Sequence, residues 1–239
     1  MKNQWFGDEY DYRKYALLRF LSGYYNNILV SWMLTSDAQL FGMDIPDMDT
    51  PDKDNPMRDT ARFILKHRKI DFVKEFLEEK TSKGKFVYWD KEFDLVEDEQ
   101  KETEERQSKR VTWKEQLNKQ GEIYKKGSIY FFDADNGYSF EEKKEEEKDC
   151  KYVYKDDISP LFANGADILL YQHRPRAIKF DTMISNWEDN ILGSSENIIR
   201  IKATGNVAFL LLLHTNPDKD TIIKKFRDTF SNPDFMSIV

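Results

Sequence analysis

The chain has 239 residues, of which 39% are hydrophobic, 34% charged and 14% aromatic, enough apolar material for one large domain and too much for a disordered chain. Its 37 Lys and Arg face 44 Asp and Glu, a net charge of −7, so no global basic field exists to hold nucleic acid, although a local basic groove is compatible with that balance. The one cysteine, Cys150, rules out a disulfide framework and a cysteine zinc cluster. The opening MKNQWFGDEYDYRK lacks the apolar core of a signal peptide, and the longest apolar stretch, Val207 to Leu213, is too short to span a bilayer. A cytoplasmic protein with no membrane partner is expected.

In chain order, Tyr12, Ala16, Leu17, Phe20, Leu21 and Tyr24 fall on one helical face, with Arg13, Lys14 and Arg19 expected away from it. Gly23 and Asn26-Asn27 break that pattern. The short apolar run from Ile28 to Leu34 follows, ended by Thr35-Ser36-Asp37, and suits a strand buried on both faces. Residues 37–59 are rich in Asp, Met and Pro, with Pro46, Pro51 and Pro56 forbidding regular structure, so a long loop is predicted. Thr60 to Glu79 reads as a helix and Lys85 to Trp89 as a strand. Glu97 to Arg110 reads as a solvated helix whose later turns bury Trp113 and Leu117.

Gly127 to Phe132 is a further apolar run that stops at Asp133-Ala134-Asp135-Asn136-Gly137. Residues 141–150 form a charged insertion, expected to be solvated; its stretch from Glu141 to Asp149 holds six acids and three bases. Ile158 to Ala163 reads as a short helix, and Ile168 to Tyr171 as a strand ending in Gln172, His173, Arg174, Pro175 and Arg176. A helix is predicted over Ala177 to Leu192. The runs Ile198 to Ala203 and Val207 to Leu213 flank Gly205-Asn206, a hairpin signal. A last helix carries Ile222, Ile223, Phe226 and Phe230 on one face. With no internal repeat and no linker, 1–239 is read as a single α/β domain.

Strands alternating with helices predict a mostly parallel sheet covered on both faces, with an antiparallel hairpin at the C-terminal end. Ligand sites of such sheets lie beyond the carboxyl ends of the strands. Three strands end there in polar clusters: Thr35 to Asp37, Asp133 to Gly137, and Gln172 to Arg176. In an extended segment Asp133 and Asp135 point the same way, at the surface of a pocket, and two such carboxylates raise one pKa or recruit a cation. Asn136-Gly137 turns the chain sharply and offers backbone amides. His173 suits a general base, a metal ligand or a phosphate contact, and Arg176 suits a bidentate anion contact. Asp133, Asp135, Lys151 and His173 are therefore the candidate catalytic residues, with Asp133 and Asp135 also the candidate metal ligands. Asn136, Gly137, Tyr171, Arg176 and Asp37 are the candidate substrate contacts. One chemistry these allow is a Mg²⁺-dependent phosphodiesterase or nuclease. Phosphate-binding loop, dinucleotide-binding glycine motif, nucleophile elbow and zinc motif are all missing.

The order WMLT, FFDADNG, KYVYKDD and LLYQHRPR resembles a widespread bacterial family of uncharacterised proteins with a strand ending in Asp-Pro-Asp-Asn-Gly, then Lys-Tyr, then a strand ending in Tyr-x-His. The resemblance carries Asp133, Asp135, Asn136, Gly137, Lys151, Tyr152, Tyr171 and His173, with Ala134 in place of the usual proline. The layout is also similar to the Rossmann-like fold of S-adenosylmethionine-dependent methyltransferases. Those enzymes close their sheet with an antiparallel hairpin and place an Asp/Asn-Pro-Pro-Tyr motif where Asp133 to Asn136 stand. Their glycine-rich first loop is replaced here by Leu34-Thr35-Ser36-Asp37. The resemblance implies a three-layer Rossmann-like sheet and a methyltransferase-like enzyme or binding protein acting on a nucleic acid or nucleotide-like substrate, with S-adenosylmethionine the alternative to Mg²⁺ as cofactor. A non-catalytic interaction module of a bacterial defence or regulatory system is the third expectation.

Overall fold

The computed structural model describes residues 9–33, 74, 77–78, 84–89, 99–149, 151–174, 178–183, 191, 197–203, 206–214 and 219–239. The predicted loop 37–59 with Asp37, nearly all of the predicted helix 60–79, Cys150, Arg176 and most of the predicted helix 177–192 lie outside these. Among the described residues the strands are β1 (Asn27–Ser31), β2 (Lys85–Trp89), β3 (Ser128–Phe132), β4 (Gly137–Tyr138), β5 (Tyr152–Val153), β6 (Asp167–His173), β7 (Ile198–Ala203), β8 (Val207–Leu212) and β9 (Ser237–Ile238). The helices are α1 (Glu9–Leu21), α2 (Glu99–Ile123), α3 (Lys155–Ala163) and α4 (Lys219–Thr229).

The main sheet runs β2-β1-β3-β6-β8-β7-β9. Its first four strands are mutually parallel, and β8 lies antiparallel between β6 and β7. The chain therefore forms the expected mostly parallel core and closes it with the expected hairpin. It steps from β1 outward to β2, then back across β1 to β3, so the connections diverge between β1 and β3. A crevice opens at the carboxyl ends of strands where connections diverge in this way.

Side-chain alternation splits the core into two sets. Ile28, Val30, Ile129, Phe131 and Leu169 pack with Leu17 and Leu21 of α1 and with Ile222 and Phe226 of α4. Leu29, Tyr130, Phe132, Ile168 and Leu170 pack with Trp113 and Leu117 of α2 and with Ile158 and Leu161 of α3. Both faces of β1, β3 and β6 are thus covered, which is why these strands read as continuous apolar runs. Phe20 of α1 meets Phe226 edge-on at 5.8 Å and Phe230 at 5.6 Å, fastening α1 to the end of α4.

Two helices depart from their sequence reading. α2 is one continuous helix of 25 residues, and its buried stripe includes Arg110, three residues before Trp113 and seven before Leu117. Arg110 was expected on a solvated surface, yet its guanidinium reaches Asp157 at 2.5 Å. On α1, Arg13 and Lys14 were placed away from the apolar face, and both are buried. Arg13 donates from Nε to the Phe235 carbonyl at 3.0 Å and lies over the Phe235 ring. Lys14 leads to the functional site.

Candidate functional site

The polar cluster after β3 begins as more strand. Asp133 donates its backbone N–H to the Ser31 carbonyl at 2.9 Å, extending the pairing with β1 by one residue. The chain then turns, with Gly137 N–H bonded to the Ala134 carbonyl at 3.1 Å and Asn136 N–H to the Lys151 carbonyl at 2.9 Å. Gly137 has φ +81°, a region that favours glycine, and a Cβ there would stand 2.5 Å from the Gln172 side-chain oxygen. Gln172 explains that crowding. Its Oε1 accepts from Tyr138 N–H at 2.7 Å, and its Nε2 donates to the Asn136 carbonyl at 3.2 Å. One buried amide therefore clips the Asn136-Gly137 turn onto β6.

Asp133 does not sit at a pocket surface as the sequence suggested. It is 1% exposed. Register explains its neighbours: Phe132 pairs with Leu170, so one residue further on Asp133 comes level with Tyr171. Lys14 reaches in from α1, its Nζ 2.9 Å from Asp133 Oδ1 and 3.0 Å from Oδ2. The same ammonium donates to Asp11 Oδ1 at 2.9 Å and lies 3.9 Å from the centre of the Tyr171 ring. Burial pushes the Asp133 carboxyl up to about 6, while the adjacent Lys14 ammonium pulls it back. The charge that balances Asp133 comes from Lys14.

Sequence reasoning ended β6 at Tyr171, but the strand runs through His173. That extra turn of the pleat puts His173 two residues beyond Tyr171 on the same side of the sheet. The imidazole meets the Tyr171 ring edge-on at 4.8 Å. Burial first and the Lys14 ammonium second lower the His173 pKa to about 4, against the opposing carboxylates of Asp135 and Asp11. At neutral pH the ring is uncharged.

His173 also borders an open cleft of ≈ 750 Å³ at the carboxyl edge of the sheet, whose wall includes Asn136, Tyr138, Phe140, Tyr152 and Met183. Asn136 is exposed and Asp135 half-buried. Lys151 contributes its backbone carbonyl to the turn, and Tyr171 lies beneath Lys14 and is buried. Arg174 is occupied: it donates to Asn206 Oδ1 and to the Ile178 carbonyl. His214 sits at the opposite edge of the sheet, its N–H bonded to Asp167 at the start of β6. Among the described residues no group of three or more His, Cys, Asp or Glu side chains stands close enough to hold a metal ion.

Lys14 and Asp11 were missed by sequence reasoning, although a signal existed. Asp11, Lys14, Leu17, Leu18 and Leu21 fall three and four residues apart, one stripe of a helix. A charged pair standing in line with three leucines marks charges that the fold must bury together.

The charged run beyond the cleft is docked rather than merely solvated. Glu145 binds Lys114 at 2.7 Å and Lys148 at 2.8 Å, and Lys148 also pairs with Asp156. Under it, Arg110 holds Asp157, which accepts the Tyr154 N–H at 2.8 Å and so caps α3. Among the described residues no helix is long and apolar enough to cross a membrane.

Compared with protein families, curated proteins and solved structures, the chain matches none of them.

Proposed function

We propose that the chain is a methyltransferase-like protein of three-layer, Rossmann-like design that binds a nucleotide-like ligand, free or as a base of a nucleic acid, in the cleft beside His173. The architecture supports this reading through the crevice between β1 and β3, the helices contributing to both core sets and the closing antiparallel hairpin. The observation that carries it is the wall of the cleft. An uncharged imidazole and the exposed Asn136 amide stand beside the rings of Tyr138, Phe140 and Tyr152. That donor set fits a neutral heteroaromatic base, stacked on a ring and hydrogen-bonded at its edge. S-adenosylmethionine, when bound, would supply the methyl group. This chain's own share is to orient the acceptor through Asn136 and to take its proton at His173.

The metal-dependent phosphodiesterase reading uses Asp133 and Asp135 as ligands. It is supported less well, because both oxygens of Asp133 are engaged by Lys14 and a cation would have to displace a buried ammonium. The non-catalytic module would use the same cleft without turnover.

Calorimetric titration with S-adenosylmethionine, S-adenosylhomocysteine and adenosine monophosphate, and separately with Mg²⁺, tests the proposal. Heat with at least one nucleoside ligand, lost in His173→Ala, is expected. Heat with Mg²⁺ alone, or with none of them, overturns it.

A further inference from the structure

We infer that Lys14 is a positioning residue for His173, acting through Asp133 and Tyr171 rather than by contact with a ligand. The inference rests on the proposed role of His173 and deepens it. Three geometric facts carry it. Lys14 Nζ holds both oxygens of Asp133, at 2.9 and 3.0 Å, which fixes where the ammonium sits. From that place it lies 3.9 Å above the Tyr171 ring centre. The His173 imidazole packs edge-on against that same ring at 4.8 Å. A cation over an aromatic face is attracted by the ring's negative quadrupole. An imidazole that gained a second positive charge against this ring would repel the first in a poorly solvated setting.

Lys14 and Asp11 from α1, Asp135 from the turn after β3 and the Tyr171 ring of β6 act on His173, and Glu141, Lys143, Asp149, Tyr152 and Arg174 line the same cleft. Asp11 and Asp135 favour a protonated ring and Lys14 opposes it. Asp11 and Asp133 share one buried ammonium between them, so part of Asp11's charge is already answered. The arrangement is a fixed cation tethered by two carboxylates and resting on the ring that the cleft histidine packs against. Its consequence is an imidazole held uncharged before any ligand arrives.

The test needs no ligand. The ¹H NMR titration of the His173 ring protons is followed in the full chain, in the double variant Lys14→Met with Asp133→Asn, and in Lys14→Gln. The double variant removes the Asp133 carboxylate together with the ammonium that holds it, and Asp11 loses that ammonium as well. The parent midpoint is expected well below 6.5, and loss of the ammonium should move it up. A merely structural Lys14 would lower the melting temperature and leave the midpoint in place. Should the double variant fail to fold, Lys14→Gln is read in its stead. A parent midpoint at 6.5, or a midpoint unmoved in the folded variants, overturns the inference. Failure of the nucleoside titration, by contrast, sinks the proposed function and leaves the His173 midpoint unaffected.

Discussion

Among the described residues, Arg110 and Lys14 each meet a fully buried aspartate, one under each face of the sheet, and they differ in what surrounds them. Arg110 meets Asp157 on the α2–α3 side and faces Glu145 at 3.3 Å, while Asp157 accepts the Tyr154 N–H and Arg110 donates to the Tyr152 carbonyl. Lys14 meets Asp133 on the α1 side, beside Asp11 and the Tyr171 ring. The first pair fastens main chain at the start of α3 and at β5. The second fastens charge next to a neutral histidine on a cleft. A buried ion pair is weak evidence for stability in either case, because desolvation offsets attraction. The contrast is one of place: the first pair is tied to main chain at the start of a helix, the second to the groups beside a cleft.

The largest effect should come from breaking the architectural pair. Arg110→Met leaves the Asp157 carboxylate buried and unpaired and is expected to cost about 3–5 kcal/mol in urea unfolding. Adding Asp157→Asn should recover much of that, because the orphaned charge is gone. A loss in the single variant under about 1 kcal/mol would show the pair to be dispensable.

Next comes the pH dependence of the chemical side. The His173 pKa is depressed from 6.5 to about 4 on folding, so the unfolded chain binds the extra proton between those values. The stability this group confers is present above 6.5 and lost as pH falls toward 4, by about 3 kcal/mol in all. Asp133 acts oppositely. Its carboxyl is raised from 3.8 to about 6, so the folded chain holds the extra proton and stability is lost as pH rises through that window. In the parent the two contributions run against each other between 4 and 6. Removing one should expose the other: His173→Gln is expected to lose stability as pH rises from 4 to 6, more steeply than the parent. Urea melts at pH 4, 5, 6 and 7 measure this, and parallel curves for the two proteins would contradict it.

A smaller effect belongs to the clip that joins the turn to β6. Gln172→Ala leaves the buried Tyr138 N–H without its acceptor, a loss of about 1–3 kcal/mol. Gly137→Ala adds a Cβ at φ +81° against that same amide, with a comparable cost from strain. If the clip is what shapes the cleft, both variants should also weaken nucleoside binding at temperatures where they remain folded.

How far the sequence made this legible follows from the same contrast. The parallel strands showed themselves because both faces are covered and every position is apolar, as in Ile28 to Val30 and Ile129 to Phe132. The hairpin of β7 and β8 was marked by Gly205-Asn206 between two apolar runs. Asp133, Asn136 and His173 stood out because polar clusters that end buried strands are conspicuous. Their placement was legible; their environments were not. Arg110 and Lys14 were hidden because a cation in a helix ordinarily reads as solvated, and only its i, i+3 and i, i+7 spacing to buried residues reveals otherwise. Gln172 was hidden because its task depends on a turn 34 residues earlier. Pair energies set by burial cannot be read until the partner's position is known.

The smallest expected effect separates the two carboxylates that the sequence had treated as equals. Asp133 is buried and bound by Lys14, whereas Asp135 is half-buried and acts on His173 through its charge. Asp135→Asn should therefore change stability by no more than about 0.5 kcal/mol, as for a substitution that breaks no buried pair. Its mark should appear on the histidine. Asp135 favours the protonated ring, so removing its charge lowers the His173 midpoint further while Asp133 and Lys14 stay in place. Asp133→Asn behaves differently, because it withdraws one of the two carboxylates that tether Lys14 and destabilises the fold by several-fold more than Asp135→Asn. Thermal melts of the two variants, taken with the His173 titration, measure both differences. Equal losses of stability in the two would mean that the carboxylates form one repelling pair after all, and that Lys14 answers them jointly.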